Sequence, residues 1–284
     1  MAPNIKLGLR RLRFQLQTAF GLPARGFFIP YRYADKVPTS QNEYIHLRKV
    51  FDENRDSFAR FCQSLDQYSD AFDNFGEGLS PRWDQDWFAR LDGAAAYGMV
   101  RQYKPKTIIE VGSGHSTRFM ARGVKDGVLD CRQVAIDPNP RTTIKALPVE
   151  WDAQLLNEDH LEQFAALQAN DIAFFDSSHI LMPGTDVDMI LNRIIPILKP
   201  GVLIHIHDVF LPYPYPEQWL WRGYNEQNVL GPMISSEAYE ILFASQYVAK
   251  TMHQQIAVSC LANIPLVTGA YETSIWLKIA TRQA

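Results

Sequence analysis

Apolar residues follow two different patterns along the chain, with a change near residue 81. Before it, they recur at mostly three- and four-residue spacing, as in "EYIHLRKVFDENRDSFARFCQSLDQYSDAF", which predicts amphipathic helices. After it, short apolar runs such as "TIIEV" and "IAFF" alternate with helical patterns. We therefore expect a helical and loop extension over residues 1–80 and an α/β domain over residues 81–284.

The alternation of strands and helices in the second part predicts a doubly wound α/β sheet that is mostly parallel. "TIIEV" and "IAFF" are almost continuously apolar, which is typical of strands buried on both faces. The stretch "TDVDMILNRIIPILKPG" predicts one helix, with Thr185 as its N-cap, a bend at Pro196 near its end, and Pro200-Gly201 as its stop.

A glycine loop follows the first of these strands, in "IIEVGSGHST". Glu110 lies near the strand end, and Gly112 and Gly114 allow the backbone to turn sharply and approach a ligand. A nicotinamide fingerprint would need a third glycine where Thr117 stands. The next strand, "VAIDPNP", ends on Asp137, where a carboxylate can accept hydrogen bonds from two ribose hydroxyls.

The loop "EVGSG" resembles the E/D-x-G-x-G loop of class I S-adenosylmethionine (SAM) methyltransferases. Residues 95–280 also resemble a broader bacterial family of such proteins, through "EVGSGHST", "FFDSSH", "HIHDVFLPYPYP" and "YNEQ". The resemblance implies a Rossmann-like seven-stranded sheet of order 3-2-1-4-5-7-6, with the last strand antiparallel. It further implies a set of cofactor-binding residues, which are Glu110, Gly112, Ser113, Gly114, Asp137 and Asp176.

Under that strand order, "DIAFFD" and "GVLIHIHD" are neighbouring strands about 5 Å apart. Asp176 and Asp208 then reach the same carboxyl edge of the sheet, together with His179 and His207. Two carboxylates can share a hard cation, and a histidine can take a proton from an alcohol. His205 lies earlier in the same strand, which favours a core position.

Asp176 and His179 form a D-x-x-H pattern after one strand, and Asp208 follows the next strand. This order resembles the metal-dependent O-methyltransferases of antibiotic tailoring, of the cephamycin and mycinamicin types. This resemblance implies that Asp176 and Asp208 bind a divalent ion such as Mg²⁺ or Mn²⁺, and that His179 is the general base. The family pattern has a metal-binding Glu at the position of His207. His207 is therefore either a third metal ligand or a residue that supports the ligands. A histidine there favours a softer ion, or none.

The stretch "VFLPYPYPEQWLWRGYNEQ" is rich in aromatic residues and prolines. Ring-shaped acceptors such as sugars pack on aromatic faces, so we interpret the stretch as an acceptor-binding lid. Tyr213, Tyr215 and Trp221 are the candidate substrate contacts.

Composition limits the possible partners and location. A net charge of −3 over 284 residues gives no overall electrostatic reason to expect nucleic acid. Cys62, Cys131 and Cys260 are odd in number and widely spaced, which suits a reducing, cytoplasmic location. No apolar run approaches the roughly 20 residues of a membrane span, and no signal peptide is expected.

The N-terminal stretch "IKLGLRRLRFQLQTAF" is basic and amphipathic. We expect it to pack on its own domain or on a partner subunit, which would make the protein a homo-oligomer through its N-terminal helices. A membrane-surface helix is the less favoured interpretation.

The leading hypothesis is a SAM-dependent O-methyltransferase that acts on a small hydroxylated acceptor, such as a sugar or a secondary-metabolite intermediate. A divalent metal would assist it, with His179 as the base. Two alternatives stay open: an NAD(P)-dependent oxidoreductase on a Rossmann sheet, and a non-catalytic SAM-binding or scaffold protein.

Overall fold

The computed structural model describes residues 5–38, 41–76 and 78–281. One seven-stranded sheet has the order β3-β2-β1-β4-β5-β7-β6, which confirms the expected topology. β7 runs antiparallel to both of its neighbours, and the other pairings are parallel. The strands are β1 Thr107–Val111, β2 Arg132–Ile136, β3 Glu150–Asp152, β4 Ile172–Phe175, β5 Leu203–Ile206, β6 Tyr239–Ala244 and β7 Ile275–Ile279.

Helices flank this sheet or precede it in the chain. The α-helices of the described residues are α1 Ile5–Ala19, α2 Ile45–Glu53, α3 Arg55–Ser64, α4 Ser69–Asp73, α5 Arg90–Tyr103, α6 His115–Asp126, α7 Leu161–Ala166, α8 Asp186–Met189, α9 Gln227–Ile234, α10 Ser245–Thr251 and α11 His253–Ala257. Each central strand is therefore followed by helical chain, as a doubly wound sheet requires.

The central strands form the core because they are apolar on both faces. All four residues of β4 are buried, and so are all four of β5. In the parallel register, Phe175 of β4 pairs with Ile206 of β5. The two chains therefore leave the sheet side by side at its carboxyl edge.

Small residues on α5 let this helix lie close to α6. A Cβ atom added at Gly93 would lie 2.5 Å from the ring of Phe119. The close approach matters for the site, because the neighbouring residue Asp92 is carried to a fully buried position.

The segment after β4 differs from the single helix that its pattern predicts. The side chain of Thr185 accepts a hydrogen bond from the backbone of Asp188, so the N-cap prediction is confirmed. The α-helical part ends at Met189, a wider π-helical turn covers residues 190–194, and a tight 3₁₀ turn covers 195–197. Pro196 has no N–H and clashes with the preceding turn, so a regular α-helix cannot continue through it.

The chain divides into two compact units, residues 1–42 with 215–223, and residues 43–214 with 224–284. Helices α2 to α4 belong to the second unit, where Phe51, Phe58 and Leu65 are buried in its hydrophobic core. This division falls elsewhere than the expected boundary at residue 80, which stays a prediction. In the described ranges, no helix has both the length and the apolar composition needed to cross a bilayer.

Candidate active site

Gly112 makes the turn that leaves β1. Its φ angle is +76°, and a Cβ atom there would lie 1.9 Å from the carbonyl oxygen of Asp176. Its N–H donates to the carbonyl of Ile136 at 3.1 Å. Only glycine allows this approach, and the loop is therefore held between the ends of β2 and β4.

Asp137 lies at the end of β2 and is bound to the same loop. Its Oδ2 accepts hydrogen bonds from the backbone N–H of Ser113 at 2.7 Å and from the Ser113 hydroxyl at 3.0 Å. Its Oδ1 accepts from the backbone N–H of Asn139 at 2.7 Å. The carboxylate is thereby held in one orientation, and it is only partly buried, so it is accessible to a ligand.

Glu110 has a different environment from the one expected of a cofactor contact. Its side chain is fully buried and accepts hydrogen bonds from the hydroxyls of Ser116 and Thr117. Gly114 in turn donates its N–H to the Thr117 hydroxyl at 2.9 Å. Burial raises the pKa of Glu110 to about 8, against the effect of the two hydroxyls. Glu110 therefore ties the glycine loop to the first turn of α6, and a direct contact with the cofactor stays a prediction.

Four side chains converge where β4 and β5 end. Nε2 of His179 lies 3.3 Å from Oδ1 of Asp176 and 3.3 Å from Oδ2 of Asp208. Nδ1 of His207 lies 3.5 Å from Oδ1 of each of the same two aspartates. The structure thus brings together the residues that the strand-end pattern selected.

The other ring nitrogen of each histidine contacts a further acidic side chain, and both of these acids are buried. Nδ1 of His179 donates to Oε2 of Glu226 at 2.9 Å, and Nε2 of His207 lies 3.4 Å from Oδ2 of Asp92. Glu226 is 1% exposed and Asp92 is fully buried. A carboxylate in this position fixes the orientation of the ring.

Sequence reasoning missed both of these acids. Glu226 lies in "YNEQ", a stretch that marks the family resemblance but received no role. Asp92 is the only charged residue in the small, apolar stretch "LDGAAAYG", which is a detectable signal of a buried acid with partners. Its carboxylate also accepts the backbone N–H groups of Thr273 and Ser274, at 3.0 and 2.8 Å.

Two of the converging residues have left-handed backbone conformations. His179 has a φ angle of +60° and Asp208 one of +55°. Such angles cost about 1 kcal/mol each in non-glycine residues and concentrate at functional sites. The carbonyl of His179 accepts the N–H groups of Asn225 and Glu226 at 3.1 and 3.3 Å, which helps to hold its conformation.

The charges in this cluster depend on one another. Burial alone would lower the pKa of His179, but Asp208, Asp176 and Glu226 raise it well above its ordinary value. The pKa of His207 is raised in the same way by Asp176 and Asp208. Burial would raise the pKa of Asp176, but the charge of His207 and hydrogen bonds from both histidines hold it well below its usual range. The two imidazoles and the carboxylate of Asp176 therefore stabilise each other's charged forms.

The arrangement does not have the form of a metal site. Within residues 5–38, 41–76 and 78–281, no group of three or more His, Cys, Asp or Glu side chains has a geometry that could hold an ion. Nδ1 of His207, the imidazole expected to bind the ion, lies 3.5 Å from the carboxylates of Asp176 and Asp208. Nε2 of His179 lies 3.3 Å from each of the same carboxylates. The expected divalent ion stays a prediction.

The remaining histidine of β5 lies in the core. His205 is fully buried, stacks on Phe174 with ring centres 3.7 Å apart, and shares a hydrogen bond of 2.8 Å with the hydroxyl of Ser274. Burial lowers its pKa well below the ordinary value, so it is a neutral packing residue.

The three aromatic residues expected to contact substrate belong to different units. Tyr213 lies in the second unit, partly buried, with its hydroxyl 3.5 Å from Nη1 of Arg48. Tyr215 and Trp221 belong to the first unit, and their role stays a prediction. An aromatic residue that sequence reasoning did not select, Tyr224, has its ring centre 4.7 Å from that of His179.

Comparison with known proteins agrees with this architecture. Residues 109–209 match a family model described as a methyltransferase domain, and this segment runs from β1 to the end of β5. It contains the glycine loop, Asp137 and the four converging side chains. Over this segment the chain is similar to methyltransferase domains, and its strand order is the one that the class I methyltransferase resemblance implies.

The solved structures to which the chain is similar include methyltransferases. The SAH-bound Podospora anserina methyltransferase PaMTH1 is 14% identical, with 90% of this chain and 100% of that chain covered and a TM-score of 0.40. The O-methyltransferase TomG from Streptomyces achromogenes, involved in tomaymycin synthesis, is 13% identical, with coverage of 78% and 90% and a TM-score of 0.40. The O-methyltransferase from Bacillus cereus is 16% identical, with coverage of 64% and 82% and a TM-score of 0.36.

No curated protein is significantly similar to the chain in sequence.

Proposed function

We propose that the protein transfers the methyl group of SAM to a hydroxyl oxygen of a small acceptor, with His179 as the general base. The observation that carries this proposal is the position of His179. Its Nδ1 is held by buried Glu226, and its Nε2 faces the carboxyl edge of the sheet between Asp176 and Asp208. A base must be oriented before it can act, and this imidazole is oriented from both sides.

The cofactor would bind along the glycine loop. Gly112, Ser113 and Gly114 present backbone to it, and Asp137 would accept hydrogen bonds from the ribose hydroxyls. Both oxygens of Asp137 already accept backbone N–H groups, which fixes the carboxylate. Oδ1 keeps capacity for one more donor, whereas a ribose hydroxyl on Oδ2 would replace the hydroxyl of Ser113. Asp176 follows the strand next to this loop, so its negative charge would lie near the positively charged sulfonium.

The reaction needs little chemistry from the protein, because SAM supplies an activated methyl group. The acceptor oxygen would attack the methyl carbon, the bond from carbon to sulfur would break, and S-adenosylhomocysteine would leave. The hydroxyl proton would pass to Nε2 of His179. Because the neighbouring acids raise the pKa of His179, the imidazole must first lose its resting proton, and it is then a strong base.

The acceptor is proposed to be a small hydroxylated ring compound, such as a sugar or a secondary-metabolite intermediate. Support comes from the aromatic side chains after β5 and from Tyr224 beside His179. A divalent ion bound by Asp176, His207 and Asp208 is the second form of the proposal. It requires these side chains to exchange their contacts with one another for contacts with the ion. Turnover that survives exhaustive chelation would reject that form.

Calorimetry with SAM and a methyl-transfer screen over sugars, phenols and polyketides test the proposal. We expect SAM to bind, His179→Asn to lose turnover while it keeps SAM affinity, and Asp137→Asn to lose affinity. The absence of SAM and S-adenosylhomocysteine binding at millimolar ligand would refute the proposal. Fluorescence enhancement of bound NADH would instead indicate an oxidoreductase. Turnover that is unchanged in His179→Asn would reject the assigned base.

A further inference from the structure

The N-terminal part of the first unit has a charge opposite to that of the whole chain. Residues 1–38 contain seven Lys or Arg and one acid, Asp35, which gives this segment a net charge of +6 in a chain of net −3. α1 itself, Ile5–Ala19, contains no acidic residue. A charge asymmetry of this size indicates a polyanionic partner.

An apolar stripe on α1 is open to solvent. Leu9, Leu12 and Leu16 are 63%, 50% and 45% exposed, and their spacing of three and four residues places them on one face of the helix. At 100° per residue, Arg13 lies beside this stripe on one side and Arg11 lies further round on the other.

Further apolar side chains follow α1 in the same unit. Phe20, Phe27, Phe28 and Ile29 are 75%, 60%, 79% and 60% exposed. Single exposed apolar residues are ordinary, but a run of this kind beside a basic helix marks an interaction surface. We name residues 5–38 the basic arm.

We propose that the basic arm binds the surface of an anionic phospholipid bilayer, with α1 lying in the plane of the interface. The leucine stripe would enter the boundary of headgroups and acyl chains, and the flanking arginines would bind lipid phosphates. A helix of 15 residues is about 22 Å long, too short to span the roughly 30 Å hydrocarbon core but suited to lie along it.

A second copy of the arm is the less suitable occupant of the stripe. Pairing two such helices through their leucines would bring two segments of net +6 together. Lipid phosphates are negatively charged and would attract this positively charged segment instead. The inference does not depend on the proposed methyl transfer, because it concerns residues outside the catalytic unit.

Sedimentation of the full chain with vesicles tests the proposal. We expect binding to vesicles of equal phosphatidylcholine and phosphatidylglycerol, little binding to pure phosphatidylcholine, and loss of binding in 0.5 M salt. The triple variant Arg10→Gln, Arg11→Gln, Arg13→Gln should bind on the order of 100-fold more weakly, since each basic residue near the surface contributes roughly fivefold. Leu12→Ser with Leu16→Ser should weaken binding by at least about tenfold.

Arg132→Gln provides the matched control. Arg132 is exposed, pairs with Glu150 in the second unit, and should not alter vesicle binding when replaced. Three outcomes would overturn the proposal: equal binding to neutral and anionic vesicles, no binding to either, or tighter binding to a 30-nucleotide RNA. Self-association that is abolished by Leu12→Ser with Leu16→Ser, without vesicle binding, would assign the stripe to a second copy of the chain.

Discussion

Replacing Glu226 by Gln removes the negative charge behind His179 and keeps an oxygen that can accept its Nδ1–H. The contact is 2.9 Å long, and both side chains are at most 2% exposed. A charge-assisted hydrogen bond of this kind contributes about 1.5–3 kcal/mol. Glutamine keeps a neutral hydrogen bond of about 0.5–1.5 kcal/mol, so only the difference, about 1–1.5 kcal/mol, is lost. At about 1.36 kcal/mol per pKa unit, the pKa of His179 should fall by roughly one unit.

The direction of this change determines the pH profile. His179 acts as a base only without its proton, so kcat/KM of the native protein should rise with pH through the raised pKa of His179. In Glu226→Gln the rise should move to lower pH by roughly one unit, and the rate on the alkaline plateau should fall because the base is weaker. Histidine ring signals in NMR, assigned with His179→Asn, report this pKa without an acceptor.

The same substitution has a signed effect on stability. The raised pKa of His179 contributes stability that is fully present below its unfolded value of about 6.5 and is lost as pH rises through the folded pKa. Glu226→Gln should therefore be less stable than the native protein in urea at pH 6. The difference should shrink or reverse at alkaline pH, where native Glu226 is a buried charge beside a neutral ring. A His179 pKa that is unchanged in Glu226→Gln would refute the reasoning.

Four other substitutions test separate parts of the site. Gly112→Ala should lower the free energy of unfolding in urea by several kcal/mol and abolish SAM binding, because its Cβ would lie 1.9 Å from the carbonyl oxygen of Asp176. An unchanged urea midpoint would contradict the close approach. Asp137→Asn should weaken SAM binding in calorimetry at least about tenfold and leave the His179 pKa unchanged. Asp208→Gly should be about 1 kcal/mol more stable than Asp208→Ala, because only glycine accepts a φ of +55° without strain, and equal stabilities would count against that conformation. His207→Glu combined with Asp92→Asn should increase affinity for Mg²⁺ alone in calorimetry over the native protein, and equal affinities would show that His207 does not weaken metal binding.

The strands that are buried on both faces were predictable, because such burial makes their sequences almost uniformly apolar. β1 and β4 are almost uniformly apolar because both of their faces are covered, and that pattern locates them. β3 has only three residues, none of them buried, and gives no such pattern; its place followed only from the implied strand order. The helix predicted after Thr185 is α-helical only to Met189. Pro196 indicated a bend near its end, but no feature of the sequence indicated the π-helical turn over residues 190–194 that precedes it.

Only the residues at the ends of β4 and β5 were predictable as parts of the site. Asp176 and Asp208 end adjacent parallel strands, and such ends meet at one edge whatever the rest of the chain does. No such rule places Glu226 and Asp92. Glu226 is 47 residues from His179 in sequence, and Asp92 is 115 residues from His207, so their pairing depends on how a distant loop and α5 pack.

His207 changes the charge balance of the site relative to the pattern that it resembles. A glutamate at this position would leave three adjacent carboxylates at one sheet edge, and their repulsion would require a cation. An imidazole here places a positive charge 3.5 Å from both aspartates and is itself supported by Asp92. His207 and Asp92 therefore form a structural unit, and a change at either residue alters the charge of the whole cluster.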